Sequence, residues 1–163
     1  MECNSGSPPS SQGPSGPLAG EVDGAPFSLA YARASKGADR VDFVFATYDV
    51  SCGSAVLPSG GAIQVVVSIP ASLAQPGETA FPADAATTTS VASLFAMDDA
   101  GDPVTNDFVP ISGTLDLETI TDTTMTGWLT ASGPDASADA ADAGDGGGGA
   151  TRVAGHFVAL ICP

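Results

Sequence analysis

Apolar and polar residues alternate along most of this chain, most cleanly near its end. Leu115 and Leu117 point one way, Asp116 and Glu118 the other, the period-2 pattern of a strand with one wet face. After a turn at Thr121-Asp122-Thr123, Met125, Gly127, Leu129 and Ala131 return on the core side, with Thr124, Thr126, Trp128 and Thr130 opposite. A final strand carries Phe157 and Ile161 inward and places His156, Val158, Leu160 and Cys162 on the other face.

The same reading works upstream. Phe27, Leu29 and Tyr31 alternate with Ser28, Ala30 and Ala32, after the turn pair Asp23-Gly24. Val41, Phe43 and Phe45 share one face, and Val44, Ala46, Tyr48 and Val50 the other, so both faces are apolar and the strand is central. Ile63, Val65, Val67 and Ile69 form the next strand, because stiff β-branched runs favour strand over helix. Val91, Ser93 and Phe95 set against Ala92, Leu94 and Ala96 give another.

Between these, residues 35–40 read as a polar turn, 71–86 as irregular chain and 98–107 as an acidic turn. The chain from Phe108 then rises into the Leu115 strand as one piece. Seven or eight short strands predict an all-β single domain, an antiparallel β-sandwich or alternatively a lipocalin-like β-barrel. One echo stands out: Met125-Thr126-Gly127-Trp128 matches Val153-Ala154-Gly155-His156. The two read as paired strands of one hairpin, each with a Gly where the sheet bends or a neighbour needs room.

Composition adds two soft segments. Residues 1–17 hold five Ser, four Pro and three Gly, too little apolar surface to offset ordering, and read as a flexible tether before a β-domain at 18–163. Residues 132–150 contain only Ser, Gly, Pro, Asp and Ala, a disordered insertion between two strands. Its carboxylates, Asp135, Asp139, Asp142 and Asp145, lack the spacing of a hand-type calcium loop. Asp98, Asp99 and Asp102 are more compact and form the better calcium candidate, set against ordinary turn chemistry.

Charge removes one class of partner. Four Lys and Arg face nineteen Asp and Glu, a formal charge of -15, which repels nucleic acid and anionic lipid. No apolar run is long enough to cross a membrane as a helix. No signal peptide is present, so an export signal is expected upstream of this numbering, removed or left out.

The three cysteines carry the sharpest expectation. Cys52 ends a central strand and Cys162 the last one, so a disulfide between them, rather than two buried thiols, suits an exported domain. It would close a loop of about 110 residues, worth about 4–5 kcal/mol of chain entropy. Cys3 lies in the tether and is a candidate lipidation site, although Glu2 departs from the small residue that precedes a lipoprotein cysteine. His156, the only imidazole, lies too far along its strand to activate Cys162. No G-x-S-x-G, H-E-x-x-H or phosphate-loop motif occurs. Trp128 is either an exposed ring for stacking a ligand or the cover of a second core layer.

Three short motifs resemble a broad group of bacterial secreted envelope lipoproteins of unknown function, of myxobacterial or Bacteroidetes type. They are Val22-Asp23-Gly24-Ala25-Pro26-Phe27, Gly77-Glu78-Thr79-Ala80-Phe81-Pro82, and Ser112-Gly113-Thr114-Leu115-Asp116-Leu117 with the glycines that follow. The resemblance spans most of residues 20–162 and implies a β-sandwich or lipocalin-like barrel with no known catalytic residues. The expectation is therefore a non-enzymatic, exported domain of the outer membrane, periplasm or cell surface, with a structural or binding role. Its membrane contact would come only from a lipid anchor. The alternatives are a carbohydrate or small-ligand module lined by Trp128, Tyr31 and Tyr48, and a calcium-assisted adhesion module using Asp98, Asp99 and Asp102.

Overall fold

The computed structural model describes residues 16–53, 56–82, 90–134 and 149–163. Within them the chain forms eleven strands: β1 (Ala19–Val22), β2 (Ala25–Ser28), β3 (Tyr31–Lys36), β4 (Arg40–Ala46), β5 (Ile63–Pro70), β6 (Gly77–Phe81), β7 (Ser90–Met97), β8 (Pro103–Pro110), β9 (Ser112–Ile120), β10 (Thr124–Ser132) and β11 (Arg152–Cys162). A 3-10 turn, Ala71–Leu73, follows β5. Nine strands run in the order β6-β9-β10-β11-β3-β4-β5-β7-β8, and the β1–β2 hairpin branches from β11.

The protein is all-β and one domain. All but one of the strand pairs are antiparallel; β11 and β3 run parallel, so the sheet is mixed rather than purely antiparallel. That seam holds only Leu160↔Arg33, Ile161↔Ala34 and Cys162↔Ser35. The other half of the same β11 edge is taken by β1, through Ala19↔Ala154 to Glu21↔Arg152.

The sheet curls over one core. Inward residues from its two ends belong to a single cluster that includes Leu115, Leu117, Met125, Leu129, Phe157, Phe43, Val65 and Ala92. The ends also meet covalently. β8 is the last strand at one end and β9 the second at the other, yet only the buried Ile111 separates them. The Ile111 amide donates to the Ser90 carbonyl at 3.1 Å, pinning this corner.

Small residues make room for large ones inside. The inward residues of β3 are Ala32 and Ala34, both buried. Its two neighbours reach over them: Phe157 of β11 meets Phe45 of β4 edge-to-face at 4.9 Å and Phe43 at 6.1 Å. Such aromatic pairs contribute about 0.5–1.5 kcal/mol beyond area burial. A second, smaller cluster of Val44, Ala46 and Val50, with Tyr48 and Val66, lies on the outer face of β4 and β5. The doubly apolar strand expected at 41–50 thus packs on both faces, although regular pairing stops at Ala46.

Local signals fall where the pattern placed them. Asp23 (φ 49°) and Gly24 (φ 75°) turn β1 into β2. Thr121 Oγ1 accepts from the Thr123 and Thr124 amides at the β9–β10 turn. β10 and β11 pair along their length, with Trp128 directly opposite His156. Both echoed glycines admit a neighbouring backbone too closely for a Cβ, Gly127 that of Asp116 on β9 and Gly155 that of Leu18. Gly127 also sits at a register shift against β9; at Gly155 (φ +147°) a Cβ would lie 2.6 Å from Leu18 Cα.

Three expectations change. The strand through Phe27 and Tyr31 is two strands, because the chain changes partners. The Leu29 amide donates to Leu18 and the Ala30 amide to Ala46, which turns Tyr31 outward while Phe27 stays buried. Residues 71–86 contain β6, which adds an edge strand to β9. The acidic turn stops at Asp102, and β8 occupies 103–110, with a proline at each end as suits a strand at the edge of a sheet.

Of the tether, Gly16 and Pro17 are described. The His156 amide donates to the Gly16 carbonyl at 2.8 Å, so pairing starts two residues before the expected domain boundary. Residues 1–15, with Cys3, and 135–148, with the Asp tract, lie outside the described residues. Where the insertion returns, it is tied to the β1–β2 turn: the Gly149 amide donates to Asp23 Oδ1 at 2.7 Å, and the Asp23 amide donates to Thr151 Oγ1 at 2.9 Å.

Cys52 and Cys162 form a disulfide across 110 positions of sequence. It fastens the last residue of the β11–β3 seam to the loop between β4 and β5. In the chain-entropy account it contributes about 4–5 kcal/mol. A Cys52→Ala, Cys162→Ala double variant is therefore expected to lower the unfolding free energy by about that amount in equilibrium urea unfolding. A loss under about 1 kcal/mol, far short of the chain-entropy figure, would show that the crosslink constrains the unfolded chain little.

Candidate functional site

The chemistry-bearing side chains lie mainly on the outer face of the sheet, in two patches. The first is built on β9, β10 and β11. Direct cross-strand pairing sets the Trp128 and His156 rings edge-to-face, with centroids 5.2 Å apart. The register shift supplies the third member. Thr126 pairs with Thr119 and Gly127 with Leu117, so Glu118 is the extra residue that opposes nothing. A bulge residue is re-aimed relative to regular pleating, and here its carboxylate reaches both rings. Trp128 Nε1 donates to Glu118 Oε1 at 3.0 Å, and His156 Nε2 lies 3.2 Å from Glu118 Oε2. Glu118 is exposed, while Trp128 and His156 are half-buried.

Chemically this is a fixed pair of rings braced by a carboxylate. The imidazole nitrogen that faces Glu118 is engaged, and both cysteines among the described residues are oxidised to a disulfide. Threonines 126 and 130 flank Trp128 on the same face of β10. The arrangement offers ring surface and hydroxyl groups to a ligand, which is the equipment of recognition.

The second patch is a groove on the outer face of β3, β4 and β5. One lobe, about 380 Å³, is lined by Arg33, Ser35, Asp42, Gln64 and Ser68, with valines beneath. A smaller lobe of about 180 Å³ adds Tyr48 and Asp49 and shares Arg33, Val44 and Gln64 with the first. Arg40 bridges Asp42 at 3.3 Å, and Ser68 Oγ donates to the same Asp42 oxygen. Arg33 makes no ion pair among the described residues, and its buried Nε has no hydrogen-bond partner. Tyr48 donates its hydroxyl to Gln64 Oε1 at 2.6 Å. Burial pushes the Tyr48 phenol above its ordinary 10.0, and the positive charge of Arg33 partly offsets this. Asp49 is held below the usual carboxylate range by hydrogen bonds from Ser51.

Among the described residues no ring contact joins Trp128, Tyr31 and Tyr48, the three aromatics expected to line one ligand site. Trp128 contacts His156, Tyr48 contacts Phe95 edge-to-face at 6.1 Å, and Tyr31 is exposed at the start of β3. Asp98, Asp99 and Asp102 lie in the β7–β8 turn. Asp98 Oδ1 accepts from the Ala100 and Asp102 amides at 2.9 and 2.8 Å. Among the described residues no three His, Cys, Asp or Glu converge as a metal would need.

Sequence reasoning passed over Glu118 and Arg33. Glu118 looked like a plain wet-face carboxylate because a bulge leaves no mark on alternation. Arg33 lies just before the polar turn read at 35–40 and drew no role there, whereas β3 runs on through it to Lys36. An arginine with apolar neighbours on the same face of the next strands was the available signal.

The Tyr48 environment is directly measurable. In a Tyr31→Phe background, phenolate absorbance reports Tyr48 alone, with a midpoint expected above 10.0. Arg33→Gln should raise it further. The raised value means Tyr48 favours folding fully below pH 10.0, and stability is lost as pH rises through the folded value. A midpoint at or below 10.0 would place the phenol in solvent instead.

No protein-family model matches the chain, and neither does any curated protein or solved structure.

Proposed function

We propose that this chain is an exported, tethered and non-enzymatic domain of the cell envelope whose role is binding rather than catalysis. The observation that carries the reading is the braced ring pair: one exposed carboxylate holds both Trp128 and His156 on the open face of a curled sheet. Rigid rings offer contact area at low entropic cost, and a ring flanked by hydroxyls suits the apolar face of a sugar.

Export is supported by the Cys52–Cys162 disulfide, which suits an oxidising compartment. A charge of -15 favours a neutral or cationic partner over nucleic acid. The Ser/Pro/Gly composition before residue 16 and Cys3 within it favour a tether with a lipid at its root. The motif resemblance to secreted envelope lipoproteins points the same way. The ligand class favoured at the ring pair is carbohydrate.

Two measurements decide these claims. Mass spectrometry of the native protein should find a diacylglyceryl group on Cys3; an unmodified thiol there would remove the lipid anchor. The oxidised domain should bind a subset of a glycan array, and Trp128→Ala should lose at least tenfold in affinity with an unchanged urea midpoint. Retained binding in that variant, or none to any glycan, would overturn the carbohydrate reading.

A further inference from the structure

Arg33 is an odd feature of a chain with nineteen acidic residues. It occupies a groove on the outer face of β3–β5, yet forms no ion pair among the described residues. Its Nε is buried with no hydrogen-bond partner. Arg33 is half-buried, but its Nε is shielded from water, and an unsatisfied buried donor in a native protein is costly and calls for an acceptor. The carboxylate that lines the larger lobe, Asp42, is already engaged by Arg40 and Ser68. In the larger lobe Arg40 is matched by Asp42, and Arg33 is left without an anion.

We propose that this groove binds a small hydroxylated monocarboxylate, of the uronic-acid or sugar-acid class, with its carboxylate on Arg33. Arginine presents a planar fork that matches a carboxylate. Around it stand Ser35 and Ser68 hydroxyls and the Gln64 amide, which exchange hydrogen bonds with ligand hydroxyls, while Val44 and Val66 offer an apolar floor. About 380 Å³ accommodates one such ring.

Charge selects the valence. Asp42 lines the larger lobe and Asp49 the smaller. Arg40 offsets Asp42, while Asp49 opposes a second negative charge on the ligand. A monoanion matches Arg33, and a phosphate dianion meets repulsion. The site is separate from the Trp128–His156 ring pair and stands whether or not that pair binds sugar.

The test is an isothermal and nuclear magnetic resonance titration of the oxidised domain with glucuronate, glucose, acetate and inorganic phosphate. Glucuronate should bind saturably and at least tenfold more tightly than glucose, with shifts at residues 33, 35, 64 and 68. Arg33→Gln should lose at least tenfold of that affinity, and Trp128→Ala should retain it. Asp42→Asn keeps the Ser68 hydrogen bond and removes a like charge, so it should bind glucuronate several-fold more tightly; this variant tests the site even where Arg33→Gln is poorly folded. Equal affinity for glucose and glucuronate would overturn the proposal. So would preference for phosphate, no saturable binding of glucuronate, or weaker binding by Asp42→Asn.

Discussion

The short parallel seam between β11 and β3 is what the rest of the structure depends on. One side of it is the antiparallel run β6-β9-β10-β11; the other is β3-β4-β5-β7-β8. Only three residue pairs join them along the backbone. Parallel pairing is slightly weaker per residue than antiparallel, so three pairs are a thin connection for two blocks of this size. The structure reinforces it twice. Beneath, Phe157 spans the alanines of β3 to reach Phe43 and Phe45. At its end, Cys162 is bonded to Cys52 in the β4–β5 loop. Small side chains in β3 are thus a requirement of the aromatic bridge. Enlarging Ala34, which is fully buried, would push the rings apart.

The same seam explains where the outer-face chemistry falls. β11 brings His156 against Trp128 on one edge and places Arg33 on the next strand beyond the other. The ring pair and the groove therefore occupy neighbouring parts of one curved surface. The ring pair depends on a departure from regular pleating, the groove on an apolar outer face. The bulge at Glu118 turns a carboxylate towards two rings, and the outer cluster of Val44, Val50 and Tyr48 builds a wall beside Arg33.

Much of the fold was legible because one wet face and one dry face impose strict alternation. Leu115 with Leu117, Met125 with Leu129, and the Ile63–Ile69 row all fall in the core as their pattern requires. The Asp23-Gly24 turn and the Cys52–Cys162 crosslink were equally plain, since few residue types adopt positive φ and few exported cysteines stay unpaired. β6 and β8 were not legible. Each lies at an end of the strand order, is paired on one side only, and buries too little to need an apolar face. Phe108, 68% exposed on β8, would have misled any count of core residues. The candidate site was legible only in part. Trp128 was marked by its place among threonines, but its brace depends on a register shift that alternation cannot express.

If the crosslink is what holds the seam, its removal should be felt there first. Amide hydrogen exchange on the oxidised and reduced protein, read strand by strand under native conditions, tests this most directly. The account predicts that reduction lowers protection of residues 33–35 and 160–162 more than that of the β9–β10 and β4–β5 pairs. Equal loss in all strands, or unchanged protection at residues 33–35 and 160–162, would contradict it.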